Sequence, residues 1–184
     1  MRKLIAAMNM TLDGYCDHTA SVPGEDVFQH YIDLLREADT LLYGRTTYQL
    51  MESYWPAVAQ DPKSGKADRE FALLIDNIQK IVYSRTLKNV VWKNSILKKE
   101  IVPEEVRELK RQAGKNLVVG SPSSIVAFMK LGLVDELQLC VNPVILGKGL
   151  TLFRNITDRI DLKLLKTRTF AGGNVLFYYE PAQK

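Results

Sequence analysis

The chain has 184 residues, 46% hydrophobic and 25% charged, with a formal net charge of +4, the composition of one globular domain (1–184) able to bury a sizeable core. No apolar run approaches the roughly 20 residues of a membrane span, and the basic start is cut by Asn9 and Asp13 instead of reading as a secretory or transit signal. Cys16 and Cys140 make neither a disulfide framework nor a metal spacing, so a reduced, cytoplasmic setting with no membrane and no metal is expected.

Lys3 to Met10 is apolar with few breaks, as in a central strand covered on both faces. Thr11 to Gly14 is a turn, and the loop continues past His18 to Pro23-Gly24. Glu25 and Asp26 suit the positive end of a helix that starts there and carries Phe28, Tyr31, Ile32, Leu34 and Leu35 at helical spacing. The stripe Phe28, Tyr31, Leu35 reads as core. Thr40 to Tyr43 is a second strand, stopped by Gly44. Thr46 to Tyr54 reads as a helix that Pro56 breaks, and Ala57 to Gly65 reads as a polar loop. Asp68 to Asn77 is helical, Lys80 to Ser84 a third strand, and Val90-Val91-Trp92 a fourth.

Pro103 suits the first position of a helix, with Glu104 and Glu105 in its first turn, Lys110 and Arg111 in its last, and Gly114 after its end. Leu117 to Val119 is a buried strand ended by Gly120, and Ser121, Ser123 or Ser124 can cap the next helix. Gln138 to Ile145 is a further strand. Leu162 to Phe170 and Asn174 to Glu180, joined by Ala171-Gly172-Gly173, read as a hairpin. Strands alternating with helices predict an α/β fold, a mostly parallel sheet with helices on both faces and an antiparallel C-terminal edge. Ligands of such sheets bind beyond the carboxyl ends of the strands.

Three of those ends share one chemistry. A strand delivered into a helix N-terminus at Gly120-Ser121 presents free backbone N–H groups and a positive dipole end, a phosphate-sized anion site, although the turn is not GxGxxG. Gly44-Arg45-Thr46-Thr47 repeats the arrangement and adds a planar cationic fork. Ser84-Arg85-Thr86 repeats it again. Taken alone, Gly44 to Thr47 reads first as an ordinary strand-to-helix turn with a capping Thr, and Ser84 to Thr86 as a polar turn with a surface Arg. Together they point to a phosphate-bearing ligand, and two Arg forks near one groove suit NADPH over NADH.

The order of these motifs resembles the dihydrofolate reductase-like family, in particular its RibD C-terminal domain group. The matching pieces are Met10-Thr11-Leu12-Asp13-Gly14, Leu42 to Tyr48, Val82 to Thr86, Gly120 to Ser123, Leu131 to Leu137, Asn142 to Gly149 and Leu152-Phe153. The resemblance implies a three-layer α/β/α dihydrofolate reductase-like fold with NADPH in an extended groove. It implies that Gly44 to Thr47 and Ser84 to Thr86 hold the adenosine phosphate end and that Gly120 to Ser124 hold the pyrophosphate. Leu146 and Gly147 would lie near the nicotinamide or at an adjoining subunit. The implied reaction is hydride transfer to a small heterocyclic or carbonyl-type substrate, pterin- or ribosylaminopyrimidine-like. The alternative is a catalytically weak nucleotide-binding or ligand-sensing module of the same fold. The family and the apolar tail strands together suggest a homodimer.

Many family members carry Gly-Gly where this chain has Gly120-Ser121, and Pro122 removes one donor at that helix start. Dihydrofolate reductases place an acid on the first helix, so Asp26, then Asp13 and Glu25, are the candidate proton donors. Glu25 and Asp26 read first as helix-dipole acids, and Asp13 reads equally as a turn former. His18 and His30 are isolated, with a loop and a helix-surface role expected. Tyr48, Tyr54 and Trp55 close over a ligand or pack in the core. The charge run from Lys98 to Lys115 interleaves no aromatics, so it reads as a solvated helix and no nucleic-acid partner is expected.

Overall fold

The computed structural model describes residues 1–17, 19 and 24–182, so the expectation for His18 lies outside the described residues. Its strands are β1 (Leu4–Thr11), β2 (Ala38–Gly44), β3 (Gln79–Tyr83), β4 (Ser95–Lys98), β5 (Asn116–Val119), β6 (Glu136–Asn142), β7 (Leu162–Thr169) and β8 (Val175–Pro181). Its helices are α1 (Glu25–Arg36), α2 (Arg45–Glu52), α3 (Trp55–Gln60), α4 (Lys66–Asn77), α5 (Pro103–Arg111) and α6 (Pro122–Lys130). The strands make one sheet in the order β4-β3-β2-β5-β1-β6-β8-β7. Neighbours from β4 to β6 are parallel, and β8 joins β6 and β7 antiparallel.

Side-chain alternation along the central strands fills two cores, one on each face. Leu4 and Ala6 of β1, Leu42 of β2 and Leu117 and Val119 of β5 pack with Val106 of α5 and Ile125 and Phe128 of α6. Ile5, Ala7, Leu41, Tyr43 and Val118 point the other way, to Leu34 and Leu35 of α1, Tyr48 of α2 and Ile75 of α4. This is the expected three-layer α/β/α arrangement with an antiparallel C-terminal hairpin. α5 starts and ends as its capping residues predict, with Pro103 first, Glu104 and Glu105 in the first turn and Lys110 and Arg111 in the last.

The differences are local. Pro56 opens α3 instead of ending structure, because a helix start needs no N–H from that residue. The span expected as a polar loop therefore begins with a helix that places Val58 and Ala59 against Ala72 of α4. The fourth strand is Ser95–Lys98, not Val90–Trp92. Trp92 is buried, but its backbone N–H and that of Val91 both donate to the Tyr48 hydroxyl, at 3.0 and 3.1 Å, instead of to a strand. β6 stops at Asn142, whose side-chain amide Nδ2 donates to the Met10 carbonyl at 3.0 Å, and Pro143 follows with no backbone donor.

Candidate functional site

Adjacent strands β2 and β5 send their chains to opposite faces of the sheet. β2 runs through Gly44 into α2 on one side, and β5 runs through Gly120 into α6 on the other. The carboxyl end of this strand pair is therefore a crevice at a topological switch point. The two departures are pinned together: Gly44 N–H donates to the buried Ser121 Oγ at 2.9 Å. A Cβ on Gly44 would lie 3.0 Å from Ser124 Oγ, a tight approach to which the α6 start must yield, which shows how close the two helix starts lie. Neither α2 nor α6 has a side-chain cap on its N-terminus, and their first N–H groups and dipole ends converge on the crevice.

A cleft of about 960 Å³ opens from this point. It brings together Gly44, Arg45, Thr46 and Thr47, then Ser84 and Arg85, then Ser121, Ser123 and Ser124. Its far walls add Lys99, Glu100, Lys130, Arg154 and Asn155, none of which the sequence motifs singled out. Five cations thus face one carboxylate, and none of the five pairs with an acid among the described residues. Lys98, one residue before Lys99, is by contrast held by Glu105. Lys99 reads in the sequence as part of the solvated charge run from Lys98, whereas it directly follows β4 on the cleft wall. Lys130 and Arg154 carry no local signal, since α6 and the loop before β7 bring them there only in the fold. The Tyr83 hydroxyl, also on the cleft wall, is pushed up to about 12 by burial and stays protonated.

Four expected cofactor residues lie off this lining. Thr86 closes the turn at Ser84 by donating its N–H to Ser84 Oγ at 3.2 Å. Gly120 sits at the β5 exit, where a Cβ would meet only the Ala7 carbonyl at 3.7 Å, so the fold itself does not demand glycine there. Leu146 and Gly147 belong to a loop tied to the loop after β1. Their N–H groups donate to the Asp13 carboxylate, Gly147 at 2.7 Å. Leu12 N–H to the Val144 carbonyl and Cys16 N–H to the Leu150 carbonyl extend the same tie to the cleft wall.

The three candidate acids do not gather in the cleft. Asp13 is exposed, and the hydroxyl of Thr11, with the Gly147 and Leu146 N–H groups, holds its carboxyl below the usual value. It is an ionised strut and a poor proton source at neutral pH. Asp26 is half-buried and spans two elements, accepting from Val27 N–H at 2.9 Å and from Ala171 N–H of the β7–β8 turn at 2.8 Å. Glu25 is exposed at the start of α1. His30 is buried, not on the helix surface, among Tyr31, Phe170 and Tyr178, and burial with Arg168 nearby lowers its pKa. Tyr48 is core. Trp55 packs against Phe71, with ring centroids 4.6 Å apart, and Tyr54 is exposed. A second groove of about 770 Å³ lies at the opposite, amino end of the strands, where Arg36 is already paired with Asp33 and Glu70. No described helix is long and apolar enough to cross a membrane.

Residues 2–176 match the model of the RibD C-terminal domain. The chain is 36% identical over 185 residues to the uncharacterized protein YyaP of Bacillus subtilis strain 168, covering 97% of this chain and 94% of that one. Its fold is similar to that of a candidate riboflavin biosynthesis protein from Shewanella sp. PV-4, with a TM-score of 0.75 at 20% identity over 98% and 99% of the two chains. It is also similar to dihydrofolate reductase from Enterococcus faecalis, solved with NADP(H) and RAB-propyl, with a TM-score of 0.62 at 14% identity over 98% and 97%.

Proposed function

We propose a reductase function for this chain, which belongs to the RibD C-terminal domain family: NADPH-dependent hydride transfer to a small heterocyclic or carbonyl-type substrate, pterin- or ribosylaminopyrimidine-like. The observation that carries the proposal is the switch-point cleft with five cations that pair with no acid among the described residues, one acid and two helix starts without side-chain caps. A pyrophosphate and one further phosphate together carry about four negative charges, which this donor set matches. The volume suits a ligand of that size. Arg45 and Arg85 would take the extra phosphate, and Thr46, Thr47, Ser123 and Ser124 the remaining phosphate oxygens. NADPH supplies the hydride when bound. The protein's share is to bind and orient. Gly44 and Ser121 hold the two helix starts together, and the Asp13 strut fixes the loop that continues into the cleft wall.

A second reading, a catalytically weak binding module of the same fold, is favoured by one feature. Asp13 and Asp26 are both engaged as acceptors of backbone N–H groups. The discriminating experiment is NADPH oxidation against pterins, ribosylaminopyrimidines, quinones and carbonyl compounds. Turnover with any of them supports the reductase. Tight NADPH binding with no turnover on the whole panel supports the module.

A further inference from the structure

β1 outruns its neighbour β5. Their pairing ends at Ala6 and Val119, while β1 stays paired to β6 as far as Thr11 and Asn142. The β5-side edge of β1 beyond Ala6 therefore borders the crevice that opens where Gly120 turns the chain away. Alternation places Asn9 on the face of Ile5 and Ala7, the face that α1 covers. Asn9 is half-buried there, and Tyr31 of α1 donates its hydroxyl to Asn9 Oδ1 at 2.8 Å. Burial raises the Tyr31 pKa well above its ordinary value, so the hydroxyl always carries the proton that fixes this bond.

With Oδ1 committed, the two amide donors stand at Nδ2. Nδ2 has no partner among the described residues. Nor does it belong with the buried unpartnered atoms among the described residues, which are His30 Nε2, Ser95 Oγ and Gln138 Oε1. It is therefore not sealed in the core, and it lies on the stretch of β1 that outruns β5.

We infer that Asn9 reads the substrate: Nδ2 donates to an exocyclic carbonyl oxygen of a planar heterocycle, and Tyr31 is the positioning residue that decides which end of the amide faces out. This rests on the cofactor reading of the neighbouring cleft. Without the Tyr31 hydroxyl the amide is free to turn and present Oδ1, and the site loses its donor sense. Asp at position 9 keeps the shape and replaces donors with acceptors, which inverts that sense.

The test uses two flat probes of matched size, 2,4-dioxopteridine and 2,4-diaminopteridine. Each is titrated by fluorescence quenching into the full chain, with and without saturating NADP⁺. The wild type should bind the dioxo probe about tenfold more tightly than the diamino probe, the worth of one well-placed hydrogen bond. Asn9→Asp should reverse the order. Tyr31→Phe, checked for folding by circular dichroism, should bring the two affinities close together. Equal affinities in the wild type, an unchanged order in Asn9→Asp, or binding of neither probe overturns the assignment. If Tyr31→Phe does not fold, Asn9→Asp alone decides. A dioxo preference that inverts in Asn9→Asp while NADP⁺ fails to bind keeps the Asn9 assignment and removes the cofactor reading instead.

Discussion

Gly44→Ala should be destabilising for a purely steric reason. Gly44 has φ −84° and ψ 165°, extended backbone open to any residue, so no conformational penalty enters. The new Cβ would sit 3.0 Å from Ser124 Oγ, 3.6 Å from Ser123 Oγ and 3.7 Å from Ser121 Cβ. The start of α6 must then retreat by a few tenths of an ångström. Overpacking of this kind costs about 1–3 kcal/mol, and the retreat also stretches the buried Gly44–Ser121 bond, worth about 1 kcal/mol. Urea melts should show a midpoint shift of that size with an unchanged slope. NADPH affinity should fall about tenfold, because the two helix starts no longer converge on one phosphate position. Adding Ser124→Ala removes the clashing oxygen and should recover most of the loss, a coupling of at least about 1 kcal/mol. A Gly44→Ala protein of wild-type stability, or two losses that simply add, would refute the reasoning.

Lys80 is fully buried, caps the end of α4 through the Ile75 and Ile78 carbonyls at 2.6 and 2.7 Å, and lies over the Trp92 ring; burial lowers its pKa to about 8. Between that value and the usual 10.5 the unfolded chain binds more protons than the folded one, so stability should rise with pH through the window, by on the order of 3 kcal/mol. Urea melts from pH 7.5 to 10 check this, and a flat or falling profile contradicts it. Asp13→Asn should leave turnover at neutral pH nearly unchanged while speeding amide exchange at Leu146 and Gly147; lost turnover with unchanged exchange would make Asp13 the acid after all. The homodimer is proposed to form through the hairpin face bearing the exposed Leu164, because Lys163, Lys166 and Arg168 discourage edge-to-edge pairing of β7. Light scattering should give a dimer at micromolar concentration that Leu164→Glu splits, and a wild-type monomer would end the idea.

The strand–helix order was legible because its signals are local. Apolar runs, acids at helix starts, Pro103 and the Ala171-Gly172-Gly173 turn each act within a few residues. Val90–Trp92 misled because burial and strand pairing look alike in sequence, and Trp92 is buried by a tyrosine hydroxyl 44 positions earlier in the chain. The turns at Gly44, Ser84 and Ser121 that line the cleft could be found as motifs. Lys99, Lys130 and Arg154 could not, since the end of β4, the end of α6 and the loop before β7 meet at the cleft only in the fold. The acids at 13 and 26 have the right residue type, but their hydrogen-bond partners, Gly147 and Ala171, lie more than 130 residues away.

Calorimetric titration of NADPH and NADH into the wild type and Arg45→Ala tests the cofactor reading most directly. Arg45 is exposed, so its phosphate contact should contribute only about 1–1.5 kcal/mol, and with Arg85 the wild type should prefer NADPH by at least about tenfold. The account predicts one site per chain, that preference, and its reduction in Arg45→Ala with NADH affinity nearly unchanged. Equal affinities for the two cofactors, or no binding of either, would contradict it.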